Sequence, residues 1–363
     1  MQKLAALILF AGLAAPAAAA SLDAAAVNEA KWEAKWETKW QEAKQAEGTI
    51  DPAIVKVQVL LDRARYSPGE IDGKVGENVR KAIAAFAAAQ GIGAADGLTA
   101  DIWQKLAAGS DKPVLKQYTL DETDLRGPFA EKIPPKMDDM KDLPALSYRN
   151  AREKIAEQFH ISPELLQALN PGQSFDKAGA AIVVPDLAEP KLAGKAARIE
   201  VDKTAQTLKA FDKQDNLLAF YPVTVGSTEK PAPNGRLKVT GVSKNPTYRY
   251  NPDYAFKGVK SRKPFTIKPG PNNPVGVVWI GLSEQSYGIH GTPEPSKVSK
   301  TESHGCVRMT NWDVSALASA VGKGTPVEFI GDERKAADAR AQAKLEQAKP
   351  KPNAKSKRRS SSR

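Results

Sequence analysis

The sequence predicts a multidomain α+β protein with three folded parts. Its 363 residues are enough for two or more domains. Between residues 49 and 187, apolar residues recur at helical spacing, and turns containing Gly or Pro separate the candidate helices. From about residue 195 the pattern changes to the alternation of apolar and polar residues that is typical of strands. We therefore expect a small helical module, a short βααβ-type segment and a mostly-β, sandwich-like domain.

Residues 1–20 have the three parts of a secretory signal peptide. Lys3 supplies the basic start, residues 4–13 form an apolar run, and three alanines before Ser21 provide a cleavage site. The apolar run is shorter than the roughly 20 residues that a membrane-spanning helix needs. We therefore expect the chain to be exported and the mature protein to have no transmembrane segment.

Residues 21–48 are rich in Trp, Lys and Glu and predict a helix. Trp32, Trp36 and Trp40 recur every four residues, so they would lie on one helical face. Such a stripe could dock on a membrane interface or a glycan, or it could pack on a neighbouring domain. We favour packing on a neighbouring domain.

Residues 49–109 predict a small module of amphipathic helices joined by turns. Val55 and Val59 mark one helix, and Val79 and Ile83 mark a second. The order of helices and turn residues resembles the peptidoglycan-binding-like module called PG_binding_1, which implies a contact with glycan. The positions that carry this resemblance are Tyr66, Pro68, Gly69, Ile71, Asp72, Gly73, Gly76, Phe86, Gly91, Gly97 and Leu98.

Residues 110–145 are rich in proline and charge and predict a linker with little regular structure. Residues 146–187 then indicate two helices, an Asn-Pro-Gly turn and a strand, and Ser162 and Pro163 are residue types that begin helices. The segment ELLQALNPG, followed by IVVPD, resembles a degenerate LysM repeat. His160 lies within this helical pattern, and we expect a structural role for it.

Residues 195–331 predict the mostly-β domain, and residues 332–363 predict a basic disordered tail. One helix is expected within the β domain near residues 313–321. From Glu333 onward, eleven Lys/Arg against three Asp/Glu give +8 of the chain's net charge of +11. The tail could touch anionic wall or membrane polymers, or be a solvated appendage. We do not expect nucleic acid as a partner, because the chain carries an export signal.

The reactive groups of the chain concentrate in residues 286–309. This stretch holds Cys306, the single cysteine, and two of the three histidines, His290 and His304. One cysteine cannot form an internal disulfide, so an exported thiol is a reactive group, a link between chains or an inert buried side chain. Its neighbours are glycine, histidine and arginine, which favours a reactive thiol paired with a base.

The segment YGIHGT, followed by SHGCVRM, resembles the signature of the YkuD-type L,D-transpeptidases, which are bacterial cell-wall enzymes. The resemblance covers residues 195–331 and implies a sandwich-like catalytic domain without a cofactor, located in the periplasm or cell envelope. It implies peptidoglycan stem peptides and glycan as partners. A cysteine thiolate would open the bond between diaminopimelate and D-alanine in a tetrapeptide stem and pass the acyl group to an acceptor amine, which cross-links the wall.

The same resemblance assigns roles to residues of the motif. Cys306 would be the nucleophile and His290 the general base. The carbonyl of Gly291 or the side chain of Ser303 would orient His290, and the sequence does not choose between them.

Further roles concern the oxyanion and the substrate. The backbone N–H groups of His304, Gly305 and Cys306 would hold the developing oxyanion. Arg308 offers a planar fork for a carboxylate, and we also expect Tyr287 to contact substrate. Further groove-lining candidates are Asn272, Asn273 and Trp279.

Three alternatives remain open at the level of sequence. His290, His304 and Cys306 are acceptable zinc ligands, although we expect no metal. The chain could instead be a non-catalytic peptidoglycan-binding protein. The same active site could also pass the acyl group to another acceptor: water, as in an L,D-carboxypeptidase, a free D-amino acid, or a lysine of an outer-membrane lipoprotein. It could also cleave the bond that attaches such a lipoprotein.

Overall fold

The computed structural model describes residues 22–34, 36, 40, 49–93, 97–109, 112–226, 231–254, 259–301 and 305–332. Two sequence predictions therefore lie outside the described residues, the signal peptide and the tail from 333 onward. The helix predicted at 21–48 is described at 22–34, 36 and 40. Within 22–34 a helix covers only Ala24–Asn28 and residues 31–33 are irregular, so a continuous helix was a wrong prediction for this part. Within the described residues, no helix combines the length and the apolar character that a bilayer span requires.

Several helices begin at residues whose side chains cap them, although the longest described helix begins after Gly76 without a side-chain cap. Asp51, Thr99, Ser162 and Thr310 each accept a hydrogen bond from a backbone N–H of the first helical turn. Pro163 stands directly after its cap, as predicted. The helices are α1 Ala24–Asn28, α2 Pro52–Arg63, α3 Glu77–Ala89, α4 Ala100–Ala108, α5 Glu122–Leu125, α6 Met137–Met140, α7 Ala151–Gln158, α8 Pro163–Leu169 and α9 Asn311–Ala320.

The described strands form a nine-stranded sheet and two separate two-stranded sheets. They are β1 Leu115–Thr119, β2 Ala181–Pro185, β3 Arg198–Asp202, β4 Thr207–Phe211, β5 Leu217–Pro222, β6 Thr224–Val225, β7 Gly235–Lys244, β8 Tyr248–Tyr250, β9 Phe265–Ile267, β10 Val278–Leu282, β11 Gly288–His290, β12 Val307–Arg308 and β13 Pro326–Ile330.

Strands β1 and β2 pair antiparallel, and the chain between them contains the short helices α5 and α6 followed by α7 and α8. We call the strand pair with α7, α8 and the adjoining loops the βααβ unit. Strand β1 and the short helices α5 and α6 lie inside the segment predicted to be an irregular linker, so that prediction is wrong for these elements. Only Leu115 of this strand is buried. A short strand with a single buried residue shows no alternation, and this explains why the sequence pattern does not reveal it.

The helical module and the βααβ unit share one hydrophobic core. Val59 of α2, Ile83 of α3, Leu165 of α8 and Ile182 of β2 belong to the same buried cluster. Ile71 and Ile161 also form a bridge between the two segments. We call this combined part, residues 22–187, the N-terminal body. The structure thus joins two segments that the sequence separates.

The tryptophan stripe packs on the N-terminal body. Trp36 and Trp40 are only 5% and 1% exposed and belong to its core. Gly97 approaches Trp40 so closely that a Cβ there would lie 2.2 Å from the indole ring. Arg80 stacks over the same ring, with its guanidinium carbon 5.0 Å from the ring centroid. These contacts agree with the favoured interpretation of the stripe.

The second half of the chain is mostly β, as predicted. Nine of its described strands form one sheet in the order β5-β4-β3-β13-β7-β10-β11-β12-β6, and β8 and β9 form a separate two-stranded sheet. The ten-residue β7 pairs with β13 through its first part and with β10 through its second part. Side chains from both halves of the sheet, such as Ile199 and Ile289, lie in one core. Helix α9 covers that core close to the position predicted for a helix.

Candidate active site

The register of the sheet separates a polar row of side chains from an apolar row. Trp279 of β10 lies opposite His290 of β11, which lies opposite Arg308 of β12. Because successive side chains of a strand point to opposite faces, the neighbouring positions form a second row that enters the core. That apolar row consists of Val242, Ile280, Ile289, Val307 and Val225.

The polar row lines an open cavity of about 530 Å³. Cys306 directly precedes β12 and lies two residues before Arg308, so it shares the cavity face of the sheet. Trp279, His290, Cys306 and Arg308 all contribute to the cavity wall. The structure therefore brings together the candidate nucleophile, the candidate base and the candidate carboxylate-binding residue.

His290 is buried and held in one orientation. Its Nδ1 lies 2.7 Å from the carbonyl oxygen of Gly291, and its ring stacks on Trp279 at 5.6 Å between centroids. Since a carbonyl oxygen can only accept, the ring proton sits on Nδ1, and Nε2 is the basic nitrogen. Of the two orienting groups left open by the sequence, the Gly291 carbonyl makes this contact, whereas Ser303 lies outside the described residues.

The surroundings of His290 keep its imidazole uncharged. Burial, and then the nearby charge of Arg308, lower its pKa to about 3, although the hydrogen bond to Gly291 acts in the opposite direction. At neutral pH the ring is therefore a neutral base that can take a proton.

Cys306 is partly buried and close to a positive charge. Its sulfur lies 3.6 Å from the carbonyl oxygen of Ser286, which can accept a weak hydrogen bond from the thiol. Burial lowers the pKa of Arg308, while the charges of Glu294 and Cys306 raise it. A positive charge that interacts with a thiol is an environment typical of reactive cysteines.

The backbone beside the cysteine is partly described. Gly305 is buried and has φ = 92°, a left-handed conformation that glycine adopts without strain. His304 and Ser303 lie outside the described residues, so their predicted roles stay predictions. Within the described chain, no group of three or more His, Cys, Asp or Glu side chains is arranged to hold a metal ion.

Comparisons with known proteins place this geometry in a family. The family model of the YkuD L,D-transpeptidase catalytic domain matches residues 196–329. YkuD of Bacillus licheniformis is 33% identical over 179 residues, which are 49% of this chain and 92% of that protein. The chain belongs to the YkuD family of L,D-transpeptidases.

Two further relatives agree with this assignment. YkuD of Bacillus subtilis strain 168 is 32% identical over 174 residues, covering 48% of this chain and 89% of the relative. The L,D-transpeptidase YbiS of Escherichia coli strain K12 is 29% identical over 192 residues, covering 51% of this chain and 61% of the relative.

Three residues predicted to contact substrate in this L,D-transpeptidase do not line its cavity. Tyr287 alternates with Ser286 and packs against the core, and its hydroxyl donates to the carbonyl of Pro231 at 3.2 Å. Asn272 is buried and donates to the carbonyl of Ser147. Asn273 is fully buried, donates to the Lys268 carbonyl and accepts from the Val275 N–H. The predictions for Asn272 and Asn273 are wrong, because their buried side chains make hydrogen bonds to nearby backbone groups instead. The substrate contact expected of Tyr287 stays a prediction.

Part of the transpeptidase cavity wall comes from a flap, by which we mean residues 246–254 and 259–267 around β8 and β9. Tyr248 and Arg249 of the flap line the cavity. Strands β8 and β9 pair over only three residues, too few to show an alternating pattern. Sequence reasoning therefore missed the flap, although its basic residues Lys260, Arg262 and Lys263 were a signal that could have drawn attention to it.

The N-terminal body also reaches the transpeptidase cavity, through a strap that we define as residues 137–147. Met137 lines the cavity, and the carboxylate of Asp138 accepts hydrogen bonds from the backbone N–H groups of Lys260 and Ser261, both at 2.9 Å. At the other end of the strap, Leu146 exchanges backbone hydrogen bonds with Pro269 and Asn272. The strap therefore holds the flap against the cavity.

Helix α3 contacts the loop between the two halves of the motif. The side-chain amide of Asn78 donates to the carbonyl of Val298 at 3.1 Å, and Lys81 lies 3.4 Å from the hydroxyl of Ser299. Ser299 in turn donates to the carbonyl of Val223 next to the sheet edge. The middle of the motif loop is thus fixed from both sides.

Proposed function

We propose that this family member is an exported peptidoglycan L,D-transpeptidase of the periplasm or cell envelope, with Cys306 as its nucleophile. The observation that carries the proposal is the cavity in which Cys306, His290 and Arg308 lie together. The hydrogen bond from His290 to the Gly291 carbonyl supports a base that is already oriented.

In the acylation step, Nε2 of His290 takes the thiol proton as sulfur attacks the carbonyl carbon between diaminopimelate and D-alanine. The backbone N–H groups of Gly305 and Cys306 hold the oxyanion, a contact for which one donor typically contributes about 3 kcal/mol. The carbon–nitrogen bond then breaks, the imidazolium returns its proton to the leaving D-alanine amine, and a thioester remains. Because burial disfavours the imidazolium, that charged ring is short-lived.

In the second step, an acceptor amine attacks the thioester. Its nitrogen forms the new amide bond, His290 takes a proton from it, and the sulfur leaves as a thiolate that is then reprotonated. Arg308 stabilises this thiolate and pairs with a substrate carboxylate in the wide cavity. A second stem peptide as the acceptor gives a cross-link. Water, a D-amino acid or a lipoprotein lysine remains the alternative acceptor.

The experiment supplies the mature protein with a defined disaccharide-tetrapeptide and identifies products by mass spectrometry. We expect a dimer that has lost one D-alanine. Cys306→Ala should abolish turnover, and His290→Ala should lower it by roughly 10²- to 10⁴-fold, the usual contribution of a general base. Lys213→Gln, on an exposed turn far from the cavity, is the matched control and should behave as wild type.

The product that is observed identifies the acceptor used by the enzyme. A trimmed tripeptide without dimer would indicate hydrolysis, and products with an added D-amino acid would indicate exchange. Turnover by Cys306→Ala at the wild-type rate would refute the proposal, and so would a wild-type enzyme that leaves the tetrapeptide intact and binds it without reaction.

Glycan binding by the N-terminal body belongs to the same proposal. The βααβ unit carries an open groove of about 560 Å³ between Phe129 and the loop from Gln173 to Asp176. A groove with an aromatic side chain and several amide groups suits a sugar chain, which offers hydroxyl groups and apolar ring faces. The proposed partner of this groove is the glycan strand of peptidoglycan.

A further inference from the structure

The side chain of Asn311, the first residue of α9, lies between two glycine backbones. A Cβ at Gly276 would lie 2.0 Å from its Oδ1, and a Cβ at Gly291 would lie 2.1 Å from the same atom. Gly276 also has φ = 62°. No other residue fits at either position while the Asn311 amide stays in place.

The Asn311 amide is hydrogen-bonded on both sides. Its Oδ1 accepts from the backbone N–H of Val277 at 3.2 Å. Its Nδ2 donates to the carbonyl of Pro271 and to both carboxylate oxygens of Glu157, each at 3.1 Å. The side chain is only 2% exposed, so water cannot replace these partners.

These contacts lead directly to His290. The carbonyl of Gly291 accepts the hydrogen bond from His290 Nδ1, and Asn311 Oδ1 packs against the backbone of that same glycine. A shift of Asn311 would therefore move the acceptor that sets the orientation of the imidazole.

Glu157 connects this arrangement to the N-terminal body. It lies on α7, far from Asn311 in sequence, and its Oε1 accepts a hydrogen bond from the hydroxyl of Tyr148 at 3.0 Å. Tyr148, Glu157 and Asn311 thus form a hydrogen-bonded chain that starts in the βααβ unit, and Asn311 packs against the glycine whose carbonyl binds the candidate base.

We propose that Asn311 and Glu157 are positioning residues, which hold the Gly276 and Gly291 backbones so that the Gly291 carbonyl orients His290. This inference rests on the proposed function, because it assigns these residues to the orientation of the general base. Neither residue lines the cavity, so both act through Gly291.

The ionisation of Glu157 makes the proposed positioning role testable, because it should make the acylation rate depend on pH in a specific way. Burial raises its pKa to about 7, hydrogen bonds from Asn311 and Tyr148 and the charge of His160 oppose that rise, and Glu153 adds to it. Above pH 7 the carboxylate accepts from both Asn311 and Tyr148. Below pH 7 the protonated group must donate one hydrogen, which weakens its contact with the Asn311 amide. Glu157→Gln should mimic the protonated state at every pH.

The experiment measures the rate at which a carbapenem acylates Cys306, by mass spectrometry of the full mature chain, between about pH 5 and about pH 9. We expect the ratio of the wild-type rate to the Glu157→Gln rate to rise through pH 7, because the titration of the thiol cancels in this ratio. Glu122→Gln, an exposed carboxyl on α5, is the matched control and should give a constant ratio.

Asn311→Ala should lower the acylation rate by roughly 10- to 100-fold, as expected for a displaced catalytic group. If Asn311→Ala does not fold, the inference is tested by the pH dependence of the ratio between the wild-type and Glu157→Gln acylation rates. A constant ratio for a folded Glu157→Gln would overturn the inference. A wild-type protein that is never acylated at Cys306 would instead refute the proposed function, so the two failures are distinguishable.

Discussion

At the scale of single residues, the buried ionisable groups decide how this protein responds to pH. His290 is buried as a neutral base. Asp313, at the start of α9, is buried at 4% exposure, accepts a hydrogen bond from Ser67 of the N-terminal body at 2.9 Å, and has its pKa raised to about 7, chiefly by burial. These groups lie at or near the contact between the two parts of the chain.

Asp313→Asn tests the cost of burying that carboxyl. The folded state binds a proton between about pH 4 and pH 7 that the unfolded state releases, so stability falls as pH rises through this window, by up to ~1.4 kcal/mol per pH unit. Asparagine cannot ionise. We therefore expect the Tm of the variant to match wild type near the acid end and to exceed it increasingly toward neutral pH.

Tm measured against pH by differential scanning calorimetry checks this expectation. Asp101→Asn, exposed on α4, serves as the control and should shift Tm equally at all pH values. A difference between Asp313→Asn and wild type that stays constant with pH would contradict the burial argument.

The candidate site residues that could be predicted from the sequence are those that belong to a short local motif. Cys306 and His290 were predicted from the motif, because a single thiol flanked by glycine and histidine is typical of a nucleophile. The packing of Tyr287 against the core and its hydrogen bond to Pro231 were not predicted, because these partners are distant in sequence. Asn311 was missed because its partners Gly276, Gly291 and Glu157 are distant in sequence.

At the scale of elements, the strap and the flap give the cavity its outer wall. The strap comes from a segment predicted to be a linker, and its role depends on two backbone N–H groups, which any residue type except proline could supply. The sheet was predictable because its strands alternate, whereas the three-residue strands of the flap are not. Elements held mainly by backbone contacts to distant segments are thus the ones that sequence patterns do not disclose.

Asp138→Ala should loosen the flap without unfolding the protein. Its carboxylate accepts from Lys260 and Ser261, and both contacts would be lost. We expect KM for the disaccharide-tetrapeptide to rise roughly 3- to 10-fold with little change in Tm, because a less ordered wall positions substrate less well. Asp139→Ala, the neighbouring substitution on α6, is the control and should leave KM unchanged. Equal KM values for the two variants would contradict a role for the strap.

At the scale of the whole molecule, the two halves of the chain are joined through an edge strand. Phe220 of β5 donates its backbone N–H to the carbonyl of Arg65, and its own carbonyl accepts from Ser67, both at 2.9 Å. The Phe220 side chain belongs to the core of the N-terminal body. This contact covers an edge of the nine-stranded sheet that would otherwise be open to pairing with other chains. Local sequence patterns predicted the helical segments and the β domain, but they did not predict the contact that joins them at Phe220.

Phe220→Ala should destabilise both parts of the protein together. Removing a fully buried phenylalanine typically costs about 3 to 5 kcal/mol of unfolding free energy, and here the void would form where the two parts meet.

We expect denaturant unfolding of wild type to be one transition, in which native tryptophan fluorescence and acylation of Cys306 are lost together. The variant should unfold at lower denaturant, again by both probes. Phe211→Ala, on the partly exposed side of β4, should cost less. Separate transitions in wild type would contradict the shared junction.

The contacts between α3 and the motif loop have a consequence for the evolution of this domain arrangement. Asn78 and Lys81 fasten the loop at Val298 and Ser299, in the middle of the stretch that separates His290 from Cys306. A catalytic domain placed beside a different N-terminal segment would lack the contacts of Asn78 and Lys81. Its motif loop would then need other partners at Val298 and Ser299.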